Sequence, residues 1–93
     1  MSVSAVVVSH GHAAQVSALA PVLLEQVDEL VVVANAPGSI DAAGLPAGVR
    51  VLESPRPRCL SANVNAGVAA THGELVVYSN PDALPRPGAV RAL

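Results

Sequence analysis

Aromatic side chains are almost missing from this chain: its 93 residues include no Phe, no Trp and a single Tyr, Tyr78. A surface that stacks nucleic-acid bases therefore has no platform, and a net charge of -2 leaves no footprint for a phosphate backbone. Nucleic acid is excluded as a partner. Lysine is absent as well, so all five permanently cationic side chains are Arg. The single cysteine, Cys59, rules out an internal disulfide, which fits a reducing compartment and an expected cytoplasmic location. Cys59 itself reads as a small, partly buried hydrophobe. No apolar run is long enough to span a membrane, and the run after Met1 lacks a basic leader and meets Ser9, His10 and Gly11 within ten residues.

What is present is aliphatic. Hydrophobic residues make up 52% of the chain and the mean hydropathy is +0.51, which suits one small globular domain over 1–93 with a core of Val, Leu and Ala. Val3 to Val8 is a β-branched run closed by Ser-His-Gly, a buried first strand and a turn. From Ala13 to Gln26 the apolar residues Val16, Leu19, Leu23 and Val27 recur at three- and four-residue spacing, the pattern of a helix that Pro21 is expected to kink or divide. Glu29 to Ala34 is a second strand, and Ile40 to Gly48 has room for one helical turn at most. Val49 to Glu53 is a short third strand near a sheet edge. After the stiff basic loop Ser54 to Arg58, Ser61 is placed to cap a helix from Ala62 to about Thr71, with Val64, Val68 and small residues toward the sheet. Leu75 to Tyr78 reads as a fourth strand buried on both faces, and Pro87 with Gly88 opens a last segment. Strands alternating with helices predict an α/β fold, a Rossmann-like parallel sheet; the crossover pattern together with the order of the motifs described below leads us to expect the strand order third, second, first, fourth.

The chemistry gathers after the strands. Glu74 to Ala89 carries an apolar strand straight into Asn80, Pro81 and Asp82, which sets one acid at the carboxyl end of a strand, where open sheets bind ligands. The turn after the first strand, Ser9-His10-Gly11-His12, lacks the glycine spacing of a dinucleotide-binding loop, and no Gly-Lys-Ser/Thr phosphate loop exists. His10 and His12 have no Cys, Asp or Glu close in sequence to complete a metal shell and read as a solvated loop pair.

Taken in order, Ser-His-Gly-His, VVVANAPGS, RCLSANVNAG and NPDALPRPGAV resemble the amino-terminal half of family 2 glycosyltransferases of the GT-A fold, nearest to the rhamnosyltransferase-like branch. That branch has D-N-x-S after its second strand, G-F-x-x-x-N-N-x-G at its third helix and N-P-D-x-x-x-x-P-G after its fourth strand. The resemblance implies a domain that binds a nucleotide-diphosphate sugar, dTDP- or UDP-linked, for transfer to an acceptor hydroxyl. It implies Asp82 as the ligand of a divalent cation, Mg2+ or Mn2+, against the diphosphate. Ser9, His10, Gly11, Asn35, Asn63, Asn65 and Asn80 fall on the nucleotide-sugar side, and Arg56 and Arg58 are placed by charge to screen the diphosphate.

Two departures accompany the likeness. Ala34 stands before Asn35 where the family has a nucleotide-binding aspartate, and the family's acceptor site and general base lie beyond the position of Leu93, so no catalytic residue is matched. A non-catalytic or degenerate nucleotide-binding or interaction module is the alternative, in which Asp82 is a turn residue bonded to its own backbone. Self-association through an unpaired edge of the fourth strand is also expected.

Overall fold

Every strand of this protein is parallel to its neighbours, and that follows from what separates them. The computed structural model describes residues 2–83, 85–86 and 88–90; the expected segment opening at Pro87 and running through 91–93 falls partly outside them. Strands β1 (Val3–Ser9), β2 (Glu29–Ala34), β3 (Val49–Glu53) and β4 (Leu75–Ser79) form one sheet in the order β3-β2-β1-β4. Helix α1 (Ala13–Leu24) carries the chain from β1 to β2 and helix α2 (Leu60–Ala69) from β3 to β4. Between β2 and β3 there is only a 3-10 turn, Ala42–Gly44, started by the Asp41 side chain accepting from the Ala43 amide at 3.0 Å. This is the Rossmann-like α/β arrangement that the alternation of patterns predicts.

The two central strands carry continuous apolar stretches, Ala5–Val8 and Leu30–Ala34, because they are covered on both faces. Ala5, Val7, Leu30, Val32 and Ala34 face one side and pack with Val16, Leu19, Ala20 and Leu23 of α1. Val6, Val8, Val31 and Val33 face the other side, where Val64 and Ala70 join them. Gly67 lets α2 come close: a Cβ built there would lie 2.5 Å from Val6 Cγ1.

Four expectations need correction. Pro21 does not divide α1; it is exposed, so the carbonyl it leaves without a helical donor can meet water, while Leu19, Ala20 and Leu23 hold both sides of it on the core. Helix α2 starts two residues earlier than Ala62, with Cys59 rather than Ser61 as its N-cap. Its buried residues are Asn63 and Gly67, and Val68, expected toward the sheet, is 42% exposed. Finally, β4 is not buried on both faces: Leu75, Val76 and Val77 are half-buried and Tyr78 is exposed, because among the described residues β1 alone pairs with β4.

The amino-terminal end of the sheet is stitched by polar groups. The buried Ser4 hydroxyl donates to Glu29 Oε1 at 2.7 Å and accepts from the Gly73 amide at 2.9 Å, and the His72 amide donates to the same Glu29 oxygen at 2.8 Å. The chain leaving β4 returns to the turn that follows α1: Gln26 Nε2 donates to the Arg86 carbonyl at 3.1 Å and Gln26 Oε1 accepts from the Val90 amide at 3.0 Å, with Val90 buried.

Candidate functional site

Strand order reverses at β1. From β1 the chain crosses over to β2, and from β3 it crosses back to β4 on the other side, so the carboxyl ends of β1 and β4 flank a topological switch point. Val7 pairs with Ser79, which puts Ser9 and Pro81 each two residues further along, at the same end of the sheet.

On the β1 side, Ser9 is fully buried and its hydroxyl accepts from the His12 amide at 3.1 Å. Gly11 turns the chain with φ 82, a conformation that favours glycine, and α1 begins at Ala13. His12 at the N-cap makes no side-chain cap, leaving the first-turn amides of α1 without a side-chain partner there. On the β4 side, the Asn80 carbonyl accepts from the Ala83 amide at 3.2 Å, a turn that buries Pro81 and exposes Asp82. Gln15 and Ala18 of α1 face Pro81 and Asp82 across a cavity of about 120 Å3. Asn80 lies beside it, exposed, its Oδ1 accepting from the Tyr78 hydroxyl at 3.2 Å.

A second constellation lies at the ends of β1 and β2, and it is a polar lock. Asn35 Oδ1 accepts from the Arg58 amide at 2.8 Å and from Asn63 Nδ2 at 2.7 Å; Asn35 Nδ2 donates to the Arg58 carbonyl at 3.1 Å. Asn63 Oδ1 accepts from the buried Ser54 hydroxyl at 2.7 Å. The loop 54–58 is thereby held against the sheet by two carboxamides whose oxygens and nitrogens are all engaged. Among the described residues no buried side-chain nitrogen or oxygen lacks a partner.

The lock also sets the histidines. Asn35 is held in one orientation by the Arg58 backbone, so its amide nitrogen, 2.7 Å from His10 Nδ1, donates to the ring and leaves the proton of the neutral imidazole on Nε2. His12 Nδ1 accepts from the His10 amide at 3.0 Å and has the same tautomer. With both Nδ1 atoms engaged, each neutral ring carries its proton on Nε2, a donor that suits an anion better than a metal ion.

The sequence-derived site residues separate into two groups. His10, Gly11, Asn80 and Asp82 sit exposed at the switch-point end of the sheet; Ser9 lies there too but is 0% exposed, so its side chain holds the turn and does not reach a ligand. Asn35 and Asn63 belong to the lock, and Asn63 is 0% exposed, so neither its oxygen nor its nitrogen reaches a ligand in this arrangement. Asn65, two residues along α2, points about 200° away from Asn63 and is exposed. Ala34, at the place of the family's aspartate, is fully buried. Sequence reasoning missed Ser54, the Arg58 backbone and Gln15, since nothing in periodicity brings Ser54 to Asn63 or Gln15 to Asp82. Cys59, expected to be partly buried, is exposed at the start of α2, where the Ser61 hydroxyl and the Ala62 amide hold its thiol below the ordinary value. No group of three His, Cys, Asp or Glu side chains gathers into a metal cage among the described residues, and no helix there is long and apolar enough to cross a membrane.

No protein-family model matches the chain, and no curated protein matches it.

Proposed function

We propose that this chain binds a nucleotide-diphosphate sugar, in the manner of the donor-binding half of a family 2 glycosyltransferase, at the switch point between β1 and β4. The observation that carries the reading is the meeting of three features at one sheet end: the Ser9-His10-Gly11 turn, the amino end of α1 without a side-chain cap, and Asp82 across a small cavity from Gln15. A helix amino terminus and imidazole Nε2–H groups favour phosphate oxygens.

Asp82 is a lone exposed carboxylate, a donor set that fits a hard cation which keeps its waters and borrows phosphate oxygens, and does not fit one caged by protein. Mg2+ or Mn2+ meets that description. When bound, such a cation would neutralise the diphosphate, and the His10 and His12 N–H groups would orient it. Asn35 and Asn63 act one step back, by holding the loop that carries Arg56 and Arg58. Among the described residues Asp82 is the sole titratable group lining the cavity, so the reading is one of donor binding, with no residue assigned as the base of a transfer step. A cytoplasmic location follows from this reading.

Calorimetric titration with UDP and dTDP, with and without Mn2+, tests it. Weak binding that requires the cation is expected, since the buried Ala34 lacks a hydrogen bond worth about 0.5–1.5 kcal/mol. Asp82→Asn is expected to abolish the metal requirement while leaving the fold intact, as Asp82 is exposed. Metal-independent binding untouched by Asp82→Asn would remove that residue from the site. Absence of binding to either nucleotide would overturn the donor reading in favour of an interaction module.

A further inference from the structure

Asp82 is exposed, so packing of its own side chain does not hold it opposite Gln15; attachments on either side of it do. Before it, β4 is paired to β1 as far as Ser79, and Pro81 is buried. After it, the chain is caught at Arg86 and Val90 by one side chain, that of Gln26.

Gln26 lies half-buried in the turn after α1 and uses both ends of its carboxamide. The Arg86 carbonyl can only accept, from Nε2 at 3.1 Å, and the Val90 amide can only donate, to Oε1 at 3.0 Å, so the two partners fix which way the carboxamide points. A Glu carboxylate would lack the donor for Arg86, and a Lys would lack the acceptor for Val90. The Ala89 amide also bonds the Arg86 carbonyl at 3.0 Å, so the clasp grips a turn, and Val90 beside it is buried.

The clasp is at the opposite end of α1 from the cavity. From Gln15 to Leu24 the helix rises about 13.5 Å, and the four residues from Asp82 to Arg86 reach at most about 14 Å. A tether with so little slack, tied at Arg86 to the turn after α1, keeps Asp82 from swinging away from the helix. Pro81 and Pro85 stand on either side of Asp82 and each restricts its own φ, which stiffens the connection.

We propose that Gln26 is a positioning residue for the donor site: by clasping Arg86 and Val90 to the end of α1, it holds Asp82 across the cavity from Gln15, where a divalent cation would meet a diphosphate. The inference rests on the donor reading. Gln26 acts only through Asp82, because the length of α1 separates it from the switch point.

Two measurements on the 93-residue chain test it. Hydrogen exchange reads the geometry: the Ala83 amide bonds the Asn80 carbonyl in the turn that carries Asp82. In Gln26→Ala that amide is expected to exchange about tenfold faster, the combined worth of two lost hydrogen bonds, while the amides of β1 and β2 stay as protected as before. Glu25→Ala, at an exposed neighbour, is the control and is expected to leave Ala83 unchanged. Titration with UDP and Mn2+ reads the function. Gln26→Ala is expected to weaken cation-dependent binding about tenfold and to add nothing in an Asp82→Asn background, a coupling that a general loss of stability would not produce. Gln26→Glu, which keeps the acceptor for Val90, is expected to show the smaller loss. An Ala83 amide unmoved by Gln26→Ala would overturn the proposal, and so would equal losses of binding with and without Asp82→Asn. If the unsubstituted chain binds no UDP, the donor reading falls by itself, and the exchange of Ala83 alone then decides whether Gln26 fixes the Asp82 turn.

Discussion

Asn63 occupies a helix position that an amphipathic pattern would give to an aliphatic side chain, and it is fully buried beside Gly67 on the face that meets the sheet. A carboxamide there is stable only because Ser54, Asn35 and the Arg58 carbonyl satisfy every one of its polar atoms. Removing it leaves the buried Ser54 hydroxyl without its acceptor and takes one of two donors from the buried Asn35 oxygen. Asn63→Ala is therefore expected to lower the unfolding free energy by about 1–3 kcal/mol or more, since the cost of an unpaired buried group exceeds the net value of the bond. Urea denaturation measures this, and a loss below that range would show that water replaces the carboxamide. As a residue, Asn63 was legible in the sequence only as a polar group near a helix start. That it faces inward, while Asn65 faces out, depends on where α2 begins, and Cys59 carries no signal that marks the cap.

At the scale of the element, two glycines set how closely α2 and the strand after it approach the sheet. A Cβ at Gly73 would stand 2.7 Å from the Ser4 backbone nitrogen, closer still to the Ser4 hydroxyl, and in the way of the Gly73-to-Ser4 bond. At Gly67 the nearest atoms are Val6 and Val33 methyls, which are side-chain atoms yet held by β-branched rotamers in a filled core. Overpacking costs about 1–3 kcal/mol, but alanine inside a helix recovers about 1 kcal/mol relative to glycine. Gly73→Ala is therefore expected to be the more destabilising of the two in thermal or urea unfolding; the reverse order would mean that the chain at residues 71–74 shifts more easily than the core of α2. The elements themselves were readable from local pattern, β2 to the residue. The boundaries of α2 and the burial of β4 were not. A strand rich in Val reads the same whether one neighbour or two will cover it.

For the whole molecule, Glu29 at the amino-terminal end of the sheet makes one contribution to how stability changes in acid. The His72 amide, then the Ser4 hydroxyl, hold the Glu29 carboxylate below its ordinary pKa, against the opposing effect of burial, with His72 and Arg50 adding charge attraction. A carboxylate whose folded pKa is depressed stabilises the fold fully above its unfolded value, about 4.3, and loses that contribution as pH falls through the lower folded value. Glu29→Gln is expected to flatten the stability profile in that acid window and to leave its slope near neutrality unchanged. Unfolding midpoints measured from pH 7 down to 3 provide the check, and an unchanged acid limb would remove Glu29 from the account.

The sequence by itself determined the class of fold. Runs of Val between turn residues, separated by a helical period, permit few arrangements other than parallel strands with right-handed crossovers; that rule allows several strand orders, and the order β3-β2-β1-β4 is expected only with the help of the order of the motifs. It also determined that Ser9 and Asp82 end their strands on the same side, because all parallel strands share one carboxyl edge. Only the tertiary structure decided the division of labour among the polar residues. Asn35 and Asn63, 28 residues apart, became a lock, Ser4 and Gly73, 69 apart, became a stitch, and Gln15 came to face Asp82. Periodicity is a property of neighbours three, four or two residues apart. A hydrogen bond between distant residues leaves no such trace, since either partner alone looks like any polar side chain at a turn.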